Sequence, residues 1–362
     1  MKRADLAVIS LLFIGMMTGC GGKAGSSNNS NTRASVAETH GITMTLDAGD
    51  ELEGDGHEYG PKAAGEVSFF IRGKGEATID WGDNSPVDTI KLSPQNTYHL
   101  YDQLTEYTVT ITADGIIEFN CIMRGNTVKK LELNAPTLQE LRCKFNELTT
   151  LDASKCTALE VLECGYNQLK NLDVSKNTAL KELACEYNQL TSLDVSKNTA
   201  LKELVCEYNQ LKILDVSKSK ALTALYCNNN QITALDVTQN TALEKLVCHG
   251  NQLKKLDVTQ NTTLQELWCG GNQLTSLDLS KNTALTSLGC SSNQLTSLDL
   301  SKNSKLNYLH CDKNQLSAEA LNAMFHDICK NEENNNLYIF GNPGKNTCDR
   351  SIAENKGWKV KY

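Results

Sequence analysis

The sequence predicts a repeat solenoid: a stack of 21-residue coils with a parallel β-sheet on its concave face, preceded by a small all-β sandwich and closed by a small α/β cap. Three observations carry that prediction. Cysteines recur at Cys143, Cys164, Cys185, Cys206, Cys227, Cys248, Cys269, Cys290 and Cys311, each 21 residues after the one before. Three residues after each stands an asparagine, from Asn146 to Asn314, and five residues before each a leucine, from Leu138 to Leu306. Nine copies in unbroken register exclude chance, so the repeat governs every other reading.

The chain of 362 residues carries a net charge of -8 and has no Lys/Arg cluster, which excludes nucleic acid as a partner because that affinity comes from neutralising phosphates. Its start reads as an export signal: Lys2 and Arg3, an apolar run from Leu6 to Met17, then Thr18-Gly19-Cys20. The run is too short for a membrane-spanning helix. These residues resemble the lipobox of bacterial lipoproteins, with Met17 where leucine is usual. The resemblance implies a signal peptide over 1–19 and lipidation of Cys20, so that the chain touches a membrane only through its N-terminal lipid. It places the protein in the cell envelope as an outer-membrane lipoprotein, with the periplasmic or outer face left open. Residues 20–40 are expected to be the lipidated cysteine and a flexible tether, since they carry no apolar pattern.

Residues 41–129 read as an immunoglobulin-like β-sandwich that caps the front of the solenoid. Phe69 and Ile71, then Ala77, Ile79 and Trp81, then Tyr107, Val109 and Ile111 alternate as strands, with turn signals at Gly82-Asp83-Asn84 and Ala113-Asp114-Gly115. The string IDWGDNSPVDTI, followed by Tyr98-His99-Leu100-Tyr101 and YTVTI, resembles the polycystic-kidney-disease-type (PKD-type) immunoglobulin-like module. Trp81, Gly82, Asp83, His99, Tyr101 and Tyr107 stand at that family's motif places, with Asn84 and Thr105-Glu106 as departures. The motif residues are expected to be scaffold, Trp81 in the core and Asp83 holding its turn.

Residues 130–318 are the solenoid of nine repeats. One unit, LDVSKNTALKELACEYNQLTS, has the stretch Leu180-x-x-Leu183-x-Cys185-x-x-Asn188-x-Leu190, which resembles the leucine-rich-repeat pattern with cysteine at one leucine place. Alternation of Leu183 and Cys185 marks a strand with one face buried. Twenty-one residues leave no room for a helix on the convex side, and each coil hides its flat faces only against its neighbours. The cysteines are expected as buried free thiols, since the column has no companion ligands for a metal. The asparagines are expected to satisfy turn backbone in the coils above and below, a task that needs donor and acceptor together. The aspartates from Asp152 to Asp299 read as turn-formers beside Ser or Thr two residues on. No metal or cofactor is expected.

Residues 319–362 read as a C-terminal cap. Leu321, Met324, Phe325 and Ile328 have helical spacing behind Ser317 as N-cap, and a strand-like segment with Leu337 and Ile339 follows. Cys329 and Cys348 lie off the 21-residue beat and are either a disulfide that staples the cap or two buried thiols. Cys121 and Cys156 are also off the beat and are expected unpaired.

Function is expected on the concave face. Its candidate ligand-binding residues are Glu163, Tyr166, Glu186, Tyr187, Glu207, Tyr208, Tyr226, His249, Trp268, Tyr308 and His310. Tyrosine and tryptophan give large contact area at small entropic cost. No catalytic site is expected: the carboxylates form ladders on an open sheet, and His249 and His310 stand three coils apart, roughly 15 Å. The whole resembles a leucine-rich-repeat surface lipoprotein of Bacteroides-like bacteria. That resemblance implies a monomer that binds a cell-surface or host protein, or a glycan; a structural envelope spacer without a specific ligand is the alternative.

Overall fold

The computed structural model describes residues 39–48, 65–122, 127–330 and 336–362. Period-two alternation sets the first strands: β1 (Gly41–Asp47) buries Ile42, Met44 and Leu46, β2 (Glu66–Gly73) buries Val67, Phe69 and Ile71, and β3 (Glu76–Asp80) buries Ala77 and Ile79. β4 (Asp88–Lys91), β5 (Gln95–Leu100), β6 (Glu106–Thr112), β7 (Ile116–Asn120) and β8 (Thr127–Asn134) follow. Five of these form an antiparallel sheet in the order β4-β3-β6-β1-β8. Phe69 packs on Trp81 at 5.7 Å and on Phe119 at 5.4 Å, joining the two layers.

The residues WGD and HxY make one scaffold network. Trp81 is buried, its indole donates to Asp88 at 2.7 Å, and His99 stacks on it at 4.7 Å. The Tyr101 hydroxyl donates to the Trp81 carbonyl at 2.7 Å. Burial pushes the Asp83 carboxyl up, but hydrogen bonds from Ser85 and His99 outweigh it and hold the group at about 2.

The nine coil strands are β9 (Glu140–Arg142), β10 (Val161–Glu163), β11 (Glu182–Ala184), β12 (Glu203–Val205), β13 (Ala224–Tyr226), β14 (Lys245–Val247), β15 (Glu266–Trp268), β16 (Ser287–Gly289) and β17 (Tyr308–His310). Each pairs in parallel with the next, equivalent residue against equivalent residue, as Leu183 against Leu204. The convex side is turns and extended chain, without a helix.

The boundary expected at residue 129 needs two corrections. β8 carries the front domain on to Asn134, where it pairs with Gly41. More important, β5, β2 and β7 do not stop at a domain border: β7 pairs in parallel with β9, Phe119 opposite Leu141. The second layer of the sandwich is therefore the beginning of the solenoid's own sheet, fourteen strands in all. One apolar core runs from Ile42 to Val360.

The asparagine column inside the coils and the exposed aspartate column behave as their chemistry requires. The Asn188 amide donates to Cys164 O at 3.0 Å and Cys185 O at 3.2 Å, and its oxygen accepts from Leu169 N at 2.9 Å. One side chain thus satisfies backbone in two adjacent coils. A second buried ladder runs along the convex turn, where Asn198 donates to Val174 O and Asn177 O. The aspartates accept from the backbone two residues on, as Asp194 does from Ser196 N at 2.8 Å. All the ladder cysteines are buried free thiols, and burial pushes Cys227 and Cys269 up to about 12.

Cys121 belongs to that ladder too, because the β7–β9 register carries it opposite Cys143, 22 residues on instead of 21. The other end is extended in the same way. Behind the helix α1 (Ala318–Asp327), capped by Ser317 through Ala320 N, the strand β18 (Asn336–Tyr338) sets Leu337 opposite Leu309 and Tyr338 opposite His310. Asn342 then takes the asparagine's place: it donates to Cys311 O and accepts from Leu316 N. α2 (Ser351–Glu354) and β19 (Lys359–Lys361) finish the sheet. No disulfide joins Cys329 and Cys348. The Cys329 thiol donates to Leu306 O at 3.0 Å and the Cys348 thiol lies by Lys345 O at 3.6 Å, each committed to its own backbone carbonyl.

Candidate functional site

In each coil the exposed positions around the strand flank the buried leucine and cysteine, and the coils give three inner columns plus one at the sheet's edge. The edge column is where the strand ends. Phe145, Tyr166, Tyr187 and Tyr208 stand there in left-handed backbone, φ 51–59°, followed in the same column by Asn229, Gly250, Gly271, Ser292, Lys313 and Gly341. That conformation is costly for a residue with a Cβ. The four aromatic residues offset it by stacking, with ring centroids 4.4, 4.3 and 4.2 Å apart. Tyr166, Tyr187 and Tyr208 are thus a correction to the sequence reading. They are rungs of an edge ladder beyond the strands, and the inner rungs have both ring faces covered.

The front carboxylates are likewise engaged within the molecule. Arg142 reaches Glu118 at 2.9 Å, Glu140 at 2.8 Å and Glu163 at 3.2 Å, while Arg72 pairs with Glu118 at 2.8 Å. Lys144 bridges Glu163 at 3.3 Å and Glu186 at 3.1 Å. Glu186 is itself buried, folded over the bare backbone of Gly165, where a Cβ would meet its carboxylate at 2.5 Å. Burial raises both Glu203 and Glu207 above the ordinary carboxylate value. Glu207 is also hydrogen-bonded by Asn228.

The rear half differs. Tyr226 lies beside the Lys245 ammonium, 5.4 Å from its ring centre, and Lys245 pairs with Glu266 at 2.9 Å. His249 stands near Asn229 and shares nothing with His310. Further on, Trp268, Tyr308 and His310 come together: Trp268 is 5.5 Å from Tyr308 and 6.5 Å from His310, tilted 52° and 58° to them. Tyr308 and His310 stack at 13°, with the hydroxyl 2.8 Å from Nε2. Tyr338, from the cap, joins His310 at 3.9 Å. Burial holds His310 below its ordinary value, against the pull of Asp312.

Two participants escape a reading of the repeats alone. Tyr338 lies outside them, although Leu337-x-Ile339-x-x-Asn342 repeats the spacing of Leu309-x-Cys311-x-x-Asn314 and was the available signal. Gly289 makes room: a Cβ there would meet Trp268 Cε3 at 2.3 Å, so the indole lies directly on its backbone. Among the described residues no group of three His, Cys, Asp or Glu side chains is placed to hold a metal ion.

Comparison with known proteins agrees with this geometry. Residues 262–302 match the family Leucine Rich repeats (2 copies). The functional domain of InlJ from Listeria monocytogenes, described as including a cysteine ladder, is similar at a TM-score of 0.61 and 34% identity. The fold is a leucine-rich-repeat solenoid. That match covers 69% of this chain and 54% of the Listeria chain, so it takes in about half of that protein. An internalin, inlF, from the same species has a TM-score of 0.49 at 22% identity, covering 62% of this chain and 74% of its own. The plant peptide hormone receptor RGFR1, solved with RGF2, has a TM-score of 0.47 at 21% identity, covering 58% of this chain and 35% of its own. No curated protein matches the chain by sequence.

Proposed function

We propose that this leucine-rich-repeat chain is a binding or adhesion protein of the bacterial cell surface, a monomer whose concave sheet captures a protein or a glycan without catalysis. The observation that carries the reading is the group Trp268, Tyr308, His310 and Tyr338, aromatic side chains gathered on the open sheet where the front half's groups are already engaged with one another. Clustered aromatic anchors are the usual energetic centres of binding surfaces. The front sandwich is read as the PKD-type module of Bacteroides-like surface lipoproteins. Lipidation of Cys20 and the tether would hold the body off the outer membrane; the signal peptide over 1–19, Cys20 and the tether up to residue 38 lie outside the described residues.

The test is adhesion of the chain to intact cells, followed by flow cytometry. Saturable binding is expected, lost in a Trp268→Ala/Tyr308→Ala variant and kept in Phe145→Ala. Absence of binding, or equal binding by all three proteins, would favour an envelope spacer.

A further inference from the structure

The rear aromatic group has a shape and a charge that narrow its ligand. Trp268 forms one wall, its indole laid on the backbone of Gly289 where a side chain would otherwise stand, and the Tyr308–His310 stack forms the other at 52–58°. Tyr338 continues the second wall onto the cap. The result is an open V of rings, shallow because each coil contributes only a three-residue strand.

Formal charge is scarce in it. Lys245 and Glu266 pair with each other, and Lys313 lies against the Phe340 ring. Asp312 is 5% exposed and sits 3.7 Å from His310. The polar groups that remain at the rim are neutral: the Tyr308 hydroxyl with its histidine, Ser287, Ser291, and the Tyr338 hydroxyl with Asn336 at 3.2 Å. The exposed Lys359 and Lys361 stand one strand beyond Asn336 and Tyr338; between Trp268 and His310 a charged ligand would find no opposite charge free to meet it. An apolar peptide side chain needs an enclosed pocket to bury itself, and this V is open. A pyranose fits both facts, since it offers a flat C–H face to a ring and neutral hydroxyls to the rim.

We infer that this V is a carbohydrate subsite, and that its ligand is a neutral glycan built of pyranoses with equatorial substituents. Such sugars present the flattest apolar face. This rests on the concave-face reading above and names its ligand class.

The chain provides its own reporter. Trp81 and Trp358 are 1% and 2% exposed, so of the three tryptophans Trp268 alone meets added solute. The full chain would be titrated with cellohexaose, laminarihexaose and chitohexaose, following tryptophan emission and the heat of binding. At least one hexaose is expected to shift the emission saturably and to protect Trp268 from acrylamide. Gly289→Ala, which displaces the indole without a backbone conflict, should weaken that binding by about tenfold or more, as should Tyr308→Ala. Phe145→Ala should leave it unchanged. No response to any hexaose, or a response that Gly289→Ala and Tyr308→Ala leave intact, overturns the inference. Cell adhesion that depends on Trp268 but is undisturbed by excess hexaose overturns the glycan while leaving the binding face standing.

Discussion

The two halves of the concave sheet share one backbone plan and differ in what their side chains are occupied with. In the front coils Arg142, with Arg72 and Lys144 beside it, holds Glu118, Glu140 and Glu163, Lys144 holds Glu186, and the edge tyrosines hold one another. In the rear coils glycines at 250, 270, 271 and 289 strip the surface, and Trp268 and Tyr308 have room that the front rings lack. A row rich in charge and tyrosine can therefore be a structural seam, while a sparser row can be the one with free chemistry. Residue type alone does not separate these cases; occupancy of the ring faces and carboxylate oxygens does.

The comparison can be broken at three depths. The deepest is the interior, which the halves have in common. Asn209→Leu removes bonds to Cys185 O, Cys206 O and Leu190 N, and Asn293→Leu removes the equivalent three. Each should cost about 2–3 kcal/mol in urea unfolding, because the buried Leu190 or Leu274 N–H loses its only partner and two buried carbonyls each lose one of two asparagine donors. A large difference between the two would show that the halves differ below the surface as well. Next comes the charge network. Arg142→Met leaves three carboxylates side by side and should cost about 1–2 kcal/mol, more than Lys245→Met, which opens a single half-exposed pair. High salt should shrink that gap.

The smallest effect concerns Glu203 and Glu207. A carboxyl raised by burial binds its proton more tightly folded than unfolded, so the ionised form subtracts stability at neutral pH. That subtraction fades as pH falls through the raised folded value. Glu203→Gln/Glu207→Gln should therefore gain stability within about 1 kcal/mol at pH 7 and nothing at pH 4, read as thermal melts. Asp152 and Asp173 run the other way: turn hydrogen bonds lower them, and their contribution is lost on acidification.

Much of the architecture was legible because stacking forces identity of position. Leu183, Cys185 and Asn188 sit at 21-residue intervals since each must meet its own copy in the next coil. The sandwich strands and the Trp81–Asp83 turn were legible from alternation and turn chemistry. The fusion of β7 to β9 was not, because the beat slips by one residue between Cys121 and Cys143 and the segment reads as part of another domain. The place of the edge tyrosines was not legible from alternation: a strand continued past Cys185 would turn Tyr187 inward by parity, and only the left-handed backbone sends it to the edge. Gly250 and Gly271 in the same column were the sign that the backbone had already turned left-handed. The V of rings was half legible, since Trp268, Tyr308 and His310 stood out, but their convergence depends on the absent side chain at Gly289.

The position of β1 has a mechanical consequence. The strand lies between β6 and β8, with seven antiparallel residue pairs on each flank. Tension transmitted along the chain from upstream of Gly41, in line with the strand, would have to shear both flanks together instead of peeling them open one bond at a time. A body hauled by that end would resist rupture at its first strand, and force would pass through the shared core into the coils behind it.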